Sequence, residues 1–163
     1  MPLRFQKVKS PLDAHLLATI VRSYPEMAQE NQNFNERYGQ EISDVENREI
    51  YVAKDDSDIC IGFGQLLLLN ADNDPELANG TEIAHVHDLR VKFALQGRGL
   101  AKEFMCFLES AAAEMGKRTL TLGVDNWNNR AIALYKGLGY REFKIENGRT
   151  DDEKVICMRK ILC

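Results

Sequence analysis

The sequence predicts an α/β fold with a mixed sheet, and three observations carry that prediction. β-prone runs outnumber helical segments along the chain. Two of those runs, at 49–54 and 59–69, are separated by the turn-like Asp55-Asp56-Ser57-Asp58, which is the spacing of an antiparallel hairpin. Residues 81–124 alone read as a strand–helix–strand crossover. At 163 residues the chain has the length of one domain and buries a sizeable core without disulfides.

Each element has a local reason. Residues 3–8 alternate apolar and polar, as a half-buried strand does. Asp13 is placed to cap a helix on which Leu16, Leu17, Ile20 and Val21 recur at helical spacing, and Pro25 ends or restarts it. Residues 26–48 are polar and poorly periodic, and are expected to form a surface helix and a loop. The turn-rich residues 70–80 read as a surface loop, and 81–92 as a strand through Ile83, Val86, Leu89 and Val91. Gly97 and Gly99 then open an amphipathic helix with an apolar stripe of Leu100, Phe104, Leu108, Ala111 and Met115, capped at its end by Gly116. Residues 119–124 form a continuous β-prone run suited to a strand buried on both faces. A short helix at 131–138 ends at Gly139, and strands at about 140–145 and 154–161 complete the chain. No repeat, low-complexity tract or linker divides it, so residues 1–163 are expected to be a single domain.

Composition narrows the function. Lys and Arg total 21 against 25 Asp and Glu, a net charge of −4, so no general attraction to nucleic acid is expected and an anionic ligand needs a local basic patch. Cys60, Cys106, Cys157 and Cys163 have no metal-ligand spacing and no C-x-x-C pair, which suggests thiols in a reducing compartment. The N-terminus lacks a signal-peptide core, and the longest apolar stretch, around 59–69, is too short and Gly-interrupted to span a membrane. A cytoplasmic protein without membrane or nucleic-acid partners is expected.

The most informative segment is Gln96-Gly97-Arg98-Gly99-Leu100-Ala101, between a strand and a helix. Glycines there let backbone approach a ligand closely, and the amides of a helix start, aided by the helix dipole, suit a phosphate or pyrophosphate. Arg98 and Lys102 add local positive charge. The P-loop string G-x-x-x-x-G-K-S/T is absent, and a dinucleotide fingerprint would need glycine where Lys102 stands.

The string Leu89-x-Val91-x-x-x-x-Gln96-x-x-Gly99-x-Ala101 resembles the acetyl-CoA-binding signature of the GNAT superfamily. Its core is Gln or Arg, two residues, Gly, one residue, then Gly or Ala. Downstream, Asn128-x-x-Ala131-x-x-x-Tyr135-x-x-x-Gly139-Tyr140 resembles the superfamily's next block, in the right order and separation. The resemblance covers about 60 residues and implies a mostly antiparallel central sheet flanked by helices. It implies that acetyl-CoA is co-substrate, with no metal. In such enzymes the amides of Gln96, Gly97, Arg98, Gly99, Leu100 and Ala101 bind the pyrophosphate. The backbone of Leu89, Arg90 and Val91 pairs with the pantetheine arm like an added strand. Asn128, Ala131 and the helix that follows line the arm's other side, with Lys136 or Arg130 placed for outer phosphates. Gly137 departs from the larger residue more usual there, and loosens that helix by up to about 1 kcal/mol relative to Ala.

Acetyl transfer to an amine poses two proton problems, since an alkylammonium with a pKa near about 10.4 must lose a proton and the leaving thiolate gains from receiving one. Tyr135 falls where matching enzymes place a tyrosine beside the thioester sulfur, and is the candidate acid. On a regular strand, residues 85, 87, 89 and 91 share one face, so His85 and His87 are candidate bases. The pair resembles that of arylalkylamine N-acetyltransferases, where such histidines pass the amine proton through water; core histidines with satisfied hydrogen bonds are the alternative. Glu82 or Asp88 is a fallback base if a bulge re-aims the strand. In 26–48, where the family's substrate-facing helices lie, Glu26, Glu30, Asn31, Glu36 and Tyr38 are polar candidates for an amine, or simply a solvated face. The expected activity is N-acetylation of a primary amine of a small molecule or amino acid by direct attack in a ternary complex. An acyl-CoA sensor without catalysis, or a protein lysine or N-terminal acetyltransferase, are the alternatives. A homodimer is common in such enzymes.

Overall fold

The computed structural model describes residues 2–28, 32–69 and 73–162. The elements are β1 (Arg4–Lys7), a 3-10 turn (Pro11–Asp13), α1 (Ala14–Arg22), α2 (Phe34–Ser43), β2 (Arg48–Lys54), β3 (Cys60–Leu67), β4 (Ile83–Val91), α3 (Leu100–Glu114), β5 (Thr119–Asp125), α4 (Asn129–Gly137), β6 (Arg141–Asn147) and β7 (Lys154–Ile161). The strands form a sheet in the order β1-β2-β3-β4-β5-β7-β6. β4 and β5, joined through α3, are parallel; β1 with β2, β5 with β7 and β6 with β7 are antiparallel. This is the mixed, mostly antiparallel α/β architecture that the sequence predicts.

The chain divides into two compact units, residues 1–66 with 88–108, and residues 67–87 with 109–163. The first is built on a core that includes Leu17, Ile20, Val21, Phe34, Tyr38, Ile42, Ile50, Val52 and Phe63. Ser10, not Asp13, supplies the cap ahead of α1: its hydroxyl accepts from Leu12 N–H at 3.3 Å, whereas Asp13 makes no side-chain cap bond. α2 is not only the polar surface helix expected of 26–48. Phe34, Tyr38 and Ile42 recur every fourth residue and are all buried, while Asn35, Glu36 and Arg37 between them face solvent. Asn33 starts that helix by accepting from Glu36 N–H at 3.1 Å. Glu30 and Asn31 lie outside the described residues.

In the second unit, Leu77, Ala78 and Cys157 form a small buried cluster. The expected surface loop at 70–80 therefore sends two residues into a core, and its first three residues lie outside those described. Asn79 sets the start of β4, since its side-chain oxygen accepts from the N–H groups of Thr81, Glu82 and Ile83 at 2.9–3.0 Å. β5 is buried at Leu120, Thr121 and Leu122, as a central strand should be. α3 buries Leu100, Phe104 and Leu108 as expected, but Met105 and Ala112 replace Ala111 and Met115 as its other buried residues. Gly116, at φ 81°, carries the chain out of it. Cys60, Cys106 and Cys157 form no disulfide with one another. No described helix is long and apolar enough to cross a membrane.

Candidate active site

The geometry turns on an interruption in β4. Its parallel ladder with β5 runs from Ile83↔Thr119 to Val86↔Leu122 and includes no later residue. Asp88 has φ 50°, a left-handed backbone that breaks the two-residue alternation of a strand. The common face expected for residues 85, 87, 89 and 91 therefore fails: His85 and His87 precede the break, Leu89 and Val91 follow it. The predicted residues accordingly divide between the units, with His85, His87, Asn128, Ala131, Tyr135 and Lys136 in the second, and residues 89–91 and 96–101 in the first.

In the second unit, His85 is buried opposite Thr121. Its Nδ1 lies 2.8 Å from Thr121 Oγ1, whose own hydroxyl donates to the Leu77 carbonyl at 2.8 Å. A hydroxyl has one proton, so Nδ1 is the donor to Thr121 and the neutral ring keeps its lone pair on Nε2. Burial, reinforced by His87 and partly offset by Asp74, lowers the His85 pKa to about 4, so the ring is neutral at physiological pH. His87 is half-buried.

Tyr135 is half-buried on α4, with its ring edge-on to Tyr140 at 6.1 Å between centroids. Burial raises its pKa above the ordinary 10, so its hydroxyl is a proton donor throughout the neutral range. Asn128 caps this helix: its side-chain oxygen accepts from Ala131 N–H at 3.2 Å, which commits Oδ1 and leaves the amide NH₂ to donate. Arg130 and Lys136 are exposed.

In the first unit, Gly97 and Gly99 have φ 82° and 78°, values that disfavour any side chain, and a Cβ at Gly99 would meet no atom within 4 Å. The ladder of α3 begins with Glu103 N–H on Gly99 O at 3.1 Å, so the amides from Gly99 to Lys102 precede its first i→i−4 bond. Leu100 is buried and anchors the helix start, while Gln96, Gly97, Arg98, Gly99 and Lys102 are exposed. Open amides, room at Gly99 and two adjacent cations fit a pyrophosphate.

The strand before the loop is held from α1's C-terminal side. Ser23 Oγ accepts from Phe93 N–H at 3.0 Å, and the Tyr24 hydroxyl donates to the Val91 carbonyl at 2.7 Å. The Gln96 side chain hydrogen-bonds to that same Tyr24 hydroxyl. Lys92 N–H donates to Ile61 O at 2.8 Å, so Lys92 directs its backbone N–H to β3. The Val91 carbonyl faces the other way, toward the Tyr24 hydroxyl.

Of the two fallback bases, Asp88 is already committed. Both oxygens of Asp88 are engaged, Oδ1 by Arg90 Nε at 2.7 Å and Oδ2 by the Tyr38 hydroxyl at 3.0 Å. Glu82 is exposed ahead of β4. Glu26 and Glu36 are exposed and Tyr38 is buried against Phe63. Sequence reasoning missed Thr121, which sets the His85 tautomer; its only signal was its place in the β5 run. It also missed that the Arg37 and Arg90 side chains both approach Asp88, for which the sequence carried no signal.

A strand, a left-handed glycine turn and a helix start with open amides are the kind of cradle that suits the pyrophosphate of an acyl-CoA donor. The chain belongs to the Acetyltransferase (GNAT) family, which it matches over residues 15–140. Membership makes it an acyl-CoA-dependent N-acetyltransferase. Among solved structures it is similar to a chimeric spermidine N-acetyltransferase from Vibrio cholerae, at 17% identity and TM-score 0.78 over 99% of this chain and 96% of that one. It is similar to the ribosomal-protein-S18-alanine N-acetyltransferase of Escherichia coli, at 18% identity and TM-score 0.75 over 99% and 94%. An aminoglycoside 6'-N-acetyltransferase solved with coenzyme A matches at 18% identity and TM-score 0.74 over 100% and 98%. At such identities these likenesses speak for the fold alone. No curated protein matches the sequence.

Proposed function

We propose that this chain transfers an acetyl group from acetyl-CoA to a primary amine of a small molecule or amino acid, by direct attack in a ternary complex. The observation that carries the reading is the turn at Gly97 and Gly99, whose left-handed backbone leads into a helix start with open amides. Residues 96–101 hold the pyrophosphate, helped by Arg98 and Lys102. The backbone of Leu89, Arg90 and Val91 orients the arm as an added strand would. The donor supplies an activated thioester; every remaining task falls to side chains of the chain.

Tyr135 gives its proton to the departing sulfur, a role suited to a hydroxyl that burial keeps protonated. A ring held near about 4 is too weak a base to retain an ammonium proton, so His85 acts through Nε2 by orienting the water that carries the proton away. His87 is the second member of that relay. Asn128 and Ala131 fix the start of α4 and with it the placement of Tyr135, and Lys136 serves an outer phosphate.

The test is release of free thiol from acetyl-CoA across a library of primary amines. Acceptor-dependent release with mass-verified N-acetylation is expected. Tight acetyl-CoA binding without transfer to any amine would replace catalysis by sensing.

A further inference from the structure

Arg37 and Arg90 have most of their hydrogen-bonding capacity unspent. Each guanidinium presents a fork of N–H donors. Among the described residues, the only hydrogen bond made by either is Arg90 Nε to Asp88 Oδ1 at 2.7 Å. Arg37 approaches Glu41 at 3.8 Å and Asp88 at 4.0 Å, both too far for a hydrogen bond. Glu41 is itself held more closely by Gln65 at 3.3 Å. The two guanidiniums lie over aromatic rings, Arg37 over Tyr38 at 5.2 Å and Arg90 over Tyr24 at 5.3 Å. The Asp88 side chain, 7% exposed, lies against both cations and Glu41 stands 3.8 Å from Arg37, so what the two arginines offer beyond their own carboxylates is unspent N–H donors.

The cations remain reachable. The side chains of Arg90 and Arg37 keep 26% and 46% of their exposure. Arg90 also lies between Leu89 and Val91, the residues assigned above to the acyl arm. A planar anion with two oxygens matches such forks bidentately, as a carboxylate does.

We infer that Arg37 and Arg90 clamp a carboxylate carried by the acceptor, so that the amine acetylated by this chain belongs to an amino-carboxylate. This inference rests on the proposed acetyl transfer. Asp88 and Tyr38 act as positioning residues that hold Arg90 in place, and Asp88 takes no part as a base.

The test compares L-amino acids with their carboxamides and with the corresponding decarboxylated amines, using the full chain and acetyl-CoA. For the preferred acceptor, kcat/KM should exceed that of its carboxamide by about 10- to 100-fold, the range of a charge-assisted hydrogen bond. Arg37→Gln, a change at a half-exposed side chain, should raise KM for the carboxylate acceptor about 10-fold and leave the carboxamide nearly unaffected. Arg90→Gln should do the same, with partial rescue by Arg90→Lys. Calorimetry of the carboxylate acceptor with the protein–CoA complex supplies a readout independent of turnover, and binding should weaken in both variants. Equal turnover of carboxylate and carboxamide, or loss of acetyl-CoA affinity instead of acceptor affinity in Arg37→Gln, overturns the clamp. If no amine is acetylated, the proposed activity fails, and calorimetric binding unchanged by Arg37→Gln then overturns the clamp as well.

Discussion

The starts of α3 and α4 solve the same problem in opposite ways. Both follow a strand, and both leave backbone donors without partners in their first turn. α4 satisfies one of them itself, through Asn128 Oδ1 on Ala131 N–H. At α3 no described side chain accepts from the first-turn amides, and the approach runs through two left-handed glycines beside Arg98 and Lys102. A self-capped start is complete without a ligand. An uncapped one must give its donors to water or to an anion, and that contrast underlies the division of labour proposed for α4 and α3.

The largest expected effect breaks chemistry at α4 while sparing the donor site at α3. Tyr135→Phe should lower kcat by about 10²–10⁴-fold in steady-state assays, with KM for acetyl-CoA nearly unchanged. Because burial raises the Tyr135 pKa, the wild-type rate should fall only above the ordinary tyrosine range, and that alkaline limb should vanish in the variant. A parallel rise in KM would mean that α4 also carries binding energy.

His85 gives an intermediate effect, read as stability. The unfolded chain binds a proton near 6.5 and the folded chain only near about 4, so between those values unfolding takes up a proton. Stability should therefore be full above about pH 6.5 and decline toward pH 4 by about 3 kcal/mol. Urea titrations across that range should show the slope in wild type and a flatter profile in His85→Gln. A limb in kcat/KM that reports His85 should likewise lie near 4 rather than 6.5. The smallest effect is Asn128→Ala, which should cost about 1 kcal/mol and lower Tm by about 2–4 °C in calorimetry. Asn128→Gly should cost only a few tenths of a kcal/mol, because glycine also tolerates a cap position.

How legible each part was follows from where its signal resides. The turn at 96–101 and the Gly116 cap were readable because positive φ is written into the sequence as glycine. Asn128 was singled out only through the family resemblance, as a residue lining the cofactor arm; that it caps α4 through Ala131 N–H was not foreseen. Asp88 adopts φ 50° without being glycine, and no local pattern distinguishes it from an aspartate in a regular strand, so the break in alternation between His87 and Leu89 was hidden. The Phe34, Tyr38 and Ile42 stripe was present but diluted by charged neighbours. The His85 tautomer depends on Thr121 and Leu77, and the clamp on Arg37 and Arg90, all contacts across long sequence separations that periodicity does not encode.

The central claim is that the start of α3 holds the donor's pyrophosphate. Calorimetric titration of wild type and Gly99→Val with acetyl-CoA and with S-acetyl-pantetheine, which lacks the pyrophosphate, tests it directly. A valine at φ 78° is strained and projects into the space the glycine leaves open. Affinity for acetyl-CoA should fall by at least about 100-fold, in line with several lost charge-assisted bonds, while the weaker binding of S-acetyl-pantetheine stays unchanged. Equal weakening of both ligands, or retention of acetyl-CoA affinity, would contradict the assignment.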